Sequence, residues 1–153
     1  MRVIILFIAL LSLQTSFAND NNALRDSIVD YSQTFIGTTY IWGGSSPEGF
    51  DCSGFVHYVF KKFGIQVSRA SSGYENEGTE VPIETCVPAD LILFTGTDHT
   101  RRKVGHLGIV INNDNGIVDF IHSSSSKKHF GVCITRYNES GYTKRFLRVI
   151  SVL

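Results

Sequence analysis

Three residues of this 153-residue chain have the types and positions expected of a thiol nucleophile and its proton carriers. Asp51 is a typical helix N-cap, which predicts Cys52 at the first position of a helix. Unpaired N–H groups and the helix dipole at that position lower the pKa of a thiol, and they can also stabilise an oxyanion. His106 begins one apolar stretch and His122 ends the next. The pattern therefore predicts nucleophilic cysteine chemistry, in which an imidazole takes the thiol proton.

The alternative interpretation of Cys52 is a small, buried core cysteine. The Asp cap before it and the nearby glycines at 43, 44, 49 and 54 disfavour that interpretation, because such glycines let a backbone or a substrate approach closely.

The two histidines must lie on the same face of their strands to cooperate, so the strand register is decisive. A plain two-residue turn at 115–116 would place His106 and His122 on opposite faces. We therefore predict an odd-length loop or a bulge, which pairs Gly108 with His122 and makes His106 its diagonal neighbour on the same face.

The other histidines and cysteines are predicted to lie outside this site. His57 falls within the second helix, and His99 and His129 lie in polar surface stretches. Cys86 and Cys133 either form a disulfide or are two ordinary buried thiols. No CxxC pair occurs, and a zinc site made from the cysteine and the two strand histidines lacks a compact ligand spacing. The sequence predicts neither a metal nor a cofactor.

Helical periodicity comes first along the chain and strand patterns follow. Apolar residues predict a first helix that ends at Gly37 and a second that runs from Asp51 to Gly64, and 65–89 holds at most one short helix. This order indicates an α+β fold, with helices packed on an antiparallel sheet and no internal linker. The predicted strands are 91–95, 106–112, 117–123, 132–137 and 146–152.

Composition excludes several classes of protein. Hydrophobic residues make up 42% and charged residues 18% of the chain, which argues against disorder. The 14 basic and 14 acidic residues cancel, so there is no net positive field for nucleic acid.

Residues 1–18 have the pattern of a cleaved signal peptide. A basic start, an uncharged run over 3–13 and small residues before a cleavage site after Ala18 are typical of one. As a membrane anchor the run is too short, because eleven helical residues span about 16 Å at roughly 1.5 Å each. We expect 19–153 to form a single exported domain, with no membrane segment after cleavage.

Five short motifs in a fixed order now carry a family resemblance. The chain resembles the NlpC-type cell-wall cysteine peptidases of bacteria over about residues 24–150, and the visible departure is Ala89, where a glycine is usual. The matching segments are Tyr40-Ile41-Trp42-Gly43-Gly44, Phe50-Asp51-Cys52-Ser53-Gly54-Phe55-Val56, Ala89-Asp90-Leu91-Ile92-Leu93-Phe94, Gly105-His106-Leu107-Gly108-Ile109 and Ile121-His122-Ser123.

The resemblance implies a papain-like fold, with N-terminal helices on a C-terminal antiparallel sheet of about five or six strands. It implies Cys52 as nucleophile, His106 as general base and His122 as the group that orients the base. In some members, residues at the matching substrate-side positions hold the free amine of a short peptide. The substrate-side residues expected here are Tyr40, Trp42, Asp51, Ser53, Arg69 and Ser71.

The implied activity is hydrolysis of an amide bond in the peptide stem of peptidoglycan, typically between γ-D-glutamate and a diamino acid. The expected location is the periplasm or the cell-wall space, the expected state is a monomer, and the length leaves no room for the SH3-like or LysM wall-binding modules frequent in the family. Two alternatives stay open: an amidase or acyltransferase acting on another amide or lipid, and a non-catalytic wall-binding domain.

Overall fold

The computed structural model describes residues 20–153. The predicted signal peptide and its cleavage site lie outside the described residues. Within 20–153, no helix is long and apolar enough to cross a membrane.

Within the described part of the chain, two α-helices precede the large sheet. Helix α1 is described over 20–33, and α2 runs over Cys52–Lys62. The start of α2 is as predicted, because the Asp51 carboxylate accepts the Gly54 N–H at 2.6 Å. Beyond its last turn Gly64 has a φ of +75°, a left-handed conformation that glycine adopts without strain.

The segments predicted as loops contain short regular elements. A two-stranded hairpin lies ahead of α2, and two 3-10 segments replace the single short helix predicted within 65–89. These elements are β1 (Ser45–Ser46), β2 (Gly49–Phe50) and the 3-10 segments Ser71–Asn76 and Ile83–Thr85.

The main sheet is antiparallel and has six strands in the order β3-β8-β4-β5-β6-β7. The α+β prediction is confirmed, and the predicted strand 91–95 is reproduced. The edge strand β3 was missed, since it has three residues and little burial, and β5 and β6 are longer than predicted. The strands are β3 (Thr79–Val81), β4 (Leu91–Thr95), β5 (Val104–Asp114), β6 (Ile117–Ser126), β7 (His129–Arg136) and β8 (Phe146–Ser151).

Hydrophobic side chains cover both faces of the sheet. On β4, Leu91 and Leu93 point into the cluster shared with the α-helices, whereas Ile92 and Phe94 point into a second cluster on the opposite face. Tyr137 and Tyr142 close that second face from 3-10 segments that follow β7. Because β4 is buried on both faces, its sequence is a continuous apolar run.

The β5–β6 hairpin solves the register problem with a bulge. Its turn has two residues, Asn115 and Gly116, and the register shifts by one residue between Val110 and Asn112. Ile111 is the extra residue, so Ile109 pairs with Ile121 beyond it. We predicted that a bulge or an odd-length loop places the two histidines on the same face of the sheet, and the structure confirms this prediction with a bulge. His106 and His122 consequently share a face.

Candidate active site

Cys52 is the first residue of α2 and lies in the wall of a surface cleft. Its side chain belongs to the cluster between the helices and the sheet, and the residue is 9% exposed. Main-chain N–H groups of Ser53 and Leu107 interact with the sulfur. Because Leu107 follows His106 on β5, this contact brings the thiol beside the start of that strand.

The predicted lowering of the Cys52 pKa is wrong for the resting structure. Burial, followed by the negative charge of Asp51, raises the pKa of the Cys52 thiol to about 11. The main-chain N–H groups at the helix start act in the expected direction but do not offset these two effects. The thiol is therefore neutral at rest and needs a base to remove its proton.

His106 and His122 form a buried, hydrogen-bonded pair. His106 Nε2 and His122 Nδ1 are 2.9 Å apart, and the rings are nearly perpendicular at 88°. Burial, followed by the neighbouring histidine and arginine charges, holds the pKa of His106 well below its ordinary value. Burial likewise lowers the pKa of His122 to about 3, with Arg145 as the next cause. Both imidazoles are neutral, so His106 is available as a base.

The partners of His122 decide which ring nitrogen carries a proton. His122 Nε2 lies 3.0 Å from Thr135 Oγ1 and 3.7 Å from Cys133 Sγ. If Nε2–H donates to Thr135, then Nδ1 accepts from His106 Nε2–H. That arrangement leaves Nδ1 of His106 without a proton, and this is the tautomer a base needs to accept one from a thiol.

Tyr142 and Arg145 complete the surroundings of the histidine pair, and neither was predicted from the sequence. The Tyr142 ring stacks on His106 at 5.4 Å and 22°, and its hydroxyl lies 3.3 Å from His106 Nε2. The Arg145 guanidinium packs on the Tyr142 ring at 4.9 Å. Both residues belong to a 3-10 segment, Gly141–Arg145, whose sequence has no recognisable motif.

Asp51 is the centre of a network that fixes the wall of the cleft near Cys52. Its carboxylate accepts five hydrogen bonds: from the N–H groups of Gly43 and Gly54, from the Ser53 hydroxyl, and from both Nη atoms of Arg69. Arg69 also donates to the Gly43 and Gly44 carbonyls. This bidentate ion pair ties the loop before α2 to the loop after it.

Gly54 lies where no other residue fits. A Cβ at this position would be 2.0 Å from the Gly44 carbonyl oxygen and 2.9 Å from Arg69 Nη2. The glycine two residues after Cys52 is therefore required by the close packing of α2 against the Asp51–Arg69 network.

The structure brings all the sequence-predicted site residues except His122 to one cleft of about 630 Å³. His122 lies behind His106 and is 1% exposed. Trp42 is 89% exposed at the cleft and offers a large aromatic surface to solvent. The predicted residues that line the cleft are Tyr40, Trp42, Asp51, Cys52, Ser53, Arg69, Ser71 and His106.

The remaining histidines and cysteines do not join this site, with one exception. His57 bonds the Val67 carbonyl through Nδ1, while His99 and His129 are exposed. Cys86 and Cys133 are free thiols, so the disulfide alternative is not what the structure contains. Cys86 is buried in the second cluster, and Cys133 is the exception because it touches His122. Among residues 20–153, no group of three His, Cys, Asp or Glu side chains could hold a metal ion.

Comparison with known proteins identifies the family. Residues 37–151 match the family model described as the NlpC/P60 family. The chain belongs to the NlpC/P60 family.

The chain aligns with different shares of the length of its named relatives. The chain is 34% identical over 121 residues to a gamma-D-glutamyl-L-lysine dipeptidyl-peptidase of Bacillus cereus, a match that covers 79% of this chain and 34% of the relative. It is 33% identical over 148 residues to the murein DD-endopeptidase MepS/murein LD-carboxypeptidase of Escherichia coli, covering 93% and 73%. The chain thus spans about a third of the first relative and most of the second.

Solved structures of the NlpC/P60 family have the same fold. An NlpC/P60 family protein of Bacillus cereus superposes with a TM-score of 0.74 at 32% identity, over 84% of this chain and 40% of that one. The NlpC/p60 domain of the peptidoglycan hydrolase SagA gives a TM-score of 0.66 at 24% identity, over 83% and 97%. The predicted papain-like fold is confirmed.

Proposed function

We propose that this protein is a cysteine peptidase that hydrolyses an amide bond in the peptide stem of bacterial peptidoglycan. The observation that carries the proposal is the 2.9 Å contact between His106 and His122, because His106 lines the same cleft in which Cys52 begins a helix. Family membership supports it, and so do relatives named for γ-D-glutamyl and murein bonds. In this role Cys52 is the nucleophile, His106 the general base and His122 the residue that orients the base.

The reaction starts from a neutral thiol and a neutral imidazole. Nδ1 of His106 takes the Cys52 proton as the sulfur attacks the substrate carbonyl, so that the charges form only in the transition state. The resulting imidazolium donates Nε2–H to His122 Nδ1, whose orientation Thr135 fixes. His106 then returns the proton to the leaving nitrogen, and a thioester remains on Cys52. A water molecule activated by His106 releases the acyl product.

The start of α2 supplies the electrostatic part of the mechanism. The N–H of Cys52 lies in the first turn, where no intrahelical carbonyl accepts it, and it can donate to the oxyanion of the tetrahedral intermediate. Asp51 caps this turn through Gly54, so the donor is held in place before the substrate arrives. Losing one such donor costs about 10²- to 10³-fold in kcat in other enzymes.

The substrate-side wall of the cleft is built around Asp51. Tyr40, Trp42, Ser53, Arg69 and Ser71 line it together with this carboxylate. Asp51 already accepts five hydrogen bonds, so its part is to fix Arg69, Ser53 and the 43–44 loop rather than to offer an unpaired carboxylate. Exposed Trp42 and half-buried Tyr40 provide the aromatic surface against which the acyl part of a stem peptide packs.

The scissile bond we favour joins γ-D-glutamate to the diamino acid, as the name of the Bacillus cereus relative suggests. The Escherichia coli relative, which aligns over 93% of this chain, is named for DD-endopeptidase and LD-carboxypeptidase activities. Its long alignment makes a murein DD bond the second candidate for the same site.

Export as a single domain belongs to the same proposal. Residues 1–18 carry a signal-peptide pattern, and peptidoglycan lies outside the cytoplasmic membrane. N-terminal sequencing of the protein secreted from its own host, or from a heterologous bacterial host, should find Asn19 as the first residue.

Digestion of purified peptidoglycan tests the activity and its nucleophile. The unchanged protein should release fragments whose masses report cleavage after γ-D-glutamate, and Cys52→Ala should release none. Cys86→Ala is the matched control, because this thiol is buried in the cluster on the far face of the sheet and should leave the products unchanged. No new peptide ends from the unchanged protein would refute the peptidase proposal, and equal ends from Cys52→Ala would refute the role of Cys52.

A further inference from the structure

Arg145 stands between two cavities of similar size. One is the cleft that contains Cys52 and His106, and the other is a second cavity, also of about 630 Å³, behind the histidine pair. Arg145 lines both, and His122 and Tyr142 line the second. Arg145 is therefore the residue that the linings of the two cavities share.

The charge of Arg145 has no carboxylate partner. Its Nε and Nη2 donate to the Thr95 carbonyl at 3.3 and 2.8 Å, and its plane packs on the Tyr142 ring. Within residues 20–153, no carboxylate oxygen lies within 4.0 Å of it, whereas Arg69 is paired with Asp51. An arginine with an uncompensated charge and unused N–H donors at a cleft is suited to bind a carboxylate.

The second cavity adds positive charge beyond Arg145. Lys128 lines it, and the other arginine there, Arg136, is neutralised by Asp119 at 3.0 Å and Glu139 at 3.5 Å. Serine hydroxyls supply further donors along the same wall. The cavity is thus polar and on balance cationic, which fits an anionic peptide end rather than an apolar group.

The chemistry of the site decides which end of the substrate faces Arg145. His106 must return its proton to the leaving nitrogen, so that nitrogen has to lie on the His106 side of the scissile bond. Arg145 lies on this side, because it packs on Tyr142 and Tyr142 stacks on His106. The acyl part faces the opposite wall, around Asp51 and Arg69.

We propose that Arg145 binds a carboxylate on the leaving side of the substrate, and so makes the enzyme selective for stems whose leaving part carries a free carboxylate. The proposal rests on the peptidase function proposed above. Two sources offer this group: the C-terminal carboxylate that follows the scissile bond, and a second carboxylate on the side chain of the diamino acid.

Synthetic stem peptides separate these sources. Four peptides contain the γ-D-glutamyl bond: one pair differs by a carboxylate or carboxamide at the C-terminus, and the other by a carboxylate or carboxamide on the diamino-acid side chain. We expect the unchanged protein to prefer one carboxylate peptide, by kcat/KM, about 10- to 100-fold over its amide. Arg145→Gln should lower kcat/KM for the carboxylate peptide by this factor, mainly by raising KM. Its kcat/KM for the amide peptide should be unchanged. Arg145→Lys should restore part of the lost preference.

The outcomes distinguish the inference from the function on which it rests. Equal losses on carboxylate and amide peptides would mean that Arg145 only supports Tyr142 and His106, and would overturn the inference alone. A preference that instead follows the α-carboxylate of the γ-linked glutamate, tested with its α-amide, would assign Arg145 to the acyl side and also overturn it. No cleavage of any peptide by the unchanged protein would overturn the peptidase function and the inference together.

Arg102 provides the matched control. It is exposed and donates to a main-chain carbonyl, that of Phe146, at 2.7 Å, as Arg145 does to Thr95, but it lines neither cavity. Arg102→Gln should therefore keep the full preference for the carboxylate peptide. A loss of preference in this variant would mean that net charge alone produces the effect, and would count against Arg145.

Discussion

Replacing His122 with leucine or asparagine tests the histidine pair directly. In the tautomer that follows when His122 Nε2–H donates to Thr135, His122 Nδ1 accepts His106 Nε2–H at 2.9 Å, deep in the protein. Leucine removes the acceptor and keeps a side chain of similar reach. In asparagine, Oδ1 is one bond beyond Cγ, as Nδ1 is in histidine, so an acceptor returns to nearly the same place.

The expected size of the effect follows from burial. Leaving a buried N–H without its partner costs about 1–3 kcal/mol, and one factor of ten in rate corresponds to about 1.4 kcal/mol. The hydrogen bond from His106 to His122 strengthens when His106 becomes an imidazolium, so its removal mainly raises the free energy of the transition state. The Tyr142 hydroxyl at 3.3 Å replaces part of the lost contact. We expect His122→Leu to reduce kcat/KM about 10- to 100-fold, and His122→Asn to recover most of it.

The assay is hydrolysis of a γ-D-glutamyl stem peptide, with kcat and KM measured separately at neutral pH. Circular dichroism and the thermal midpoint establish that each variant is folded at the assay temperature, because His122 also contacts Thr135. The loss should fall on kcat. Activity of the leucine variant within threefold of the unchanged protein, or equal losses in the two variants, would refute the orienting role.

Three further predictions concern the same surroundings. Thr135→Val removes the acceptor of His122 Nε2 and should lower kcat a few-fold at unchanged KM, and an unaltered kcat would contradict the tautomer argument. Because the pKa values of His106 and His122 are lowered in the folded protein, the unfolded chain binds protons first below about pH 6.5. The free energy of unfolding should therefore fall by about 1.4 kcal/mol per pH unit for each histidine as the pH falls towards 4. Urea titrations of the unchanged protein and of His122→Asn should differ in this slope. Gly54→Ala should destabilise the protein by about 1–3 kcal/mol in urea, although alanine favours helix, whereas Gly141→Ala, with open space around it, should stay within about 0.5 kcal/mol.

The parts of the site that follow from local sequence could be predicted. Asp51 caps α2 because its carboxylate reaches an N–H three residues on, and this depends on a few neighbouring residues only. A bulge or an odd-length loop followed from the need to bring His106 and His122 to one face, and the structure contains the bulge, at Ile111.

The parts that depend on long-range packing could not be predicted. Tyr142 and Arg145 come from an irregular segment that has no periodicity; Tyr142 meets His106 across 36 positions of sequence, and Arg145 packs on Tyr142. The Cys52 pKa shows the same limit. The effect of the helix start is local and was foreseen, but the larger effect of burial appears only when β5 packs against α2.

The position of β8 has a consequence for when the protein can fold. Although β8 is the last strand along the chain, it lies inside the sheet and hydrogen-bonds to both β3 and β4. Ser151, at its end, also accepts a hydrogen bond from Arg25 in α1. A nascent chain on the ribosome therefore cannot close its sheet until residue 151 has been synthesised. Until then β3, whose one neighbour in the sheet is β8, stays separate from β4 and the strands beyond it, so the complete sheet forms only as a late step of folding.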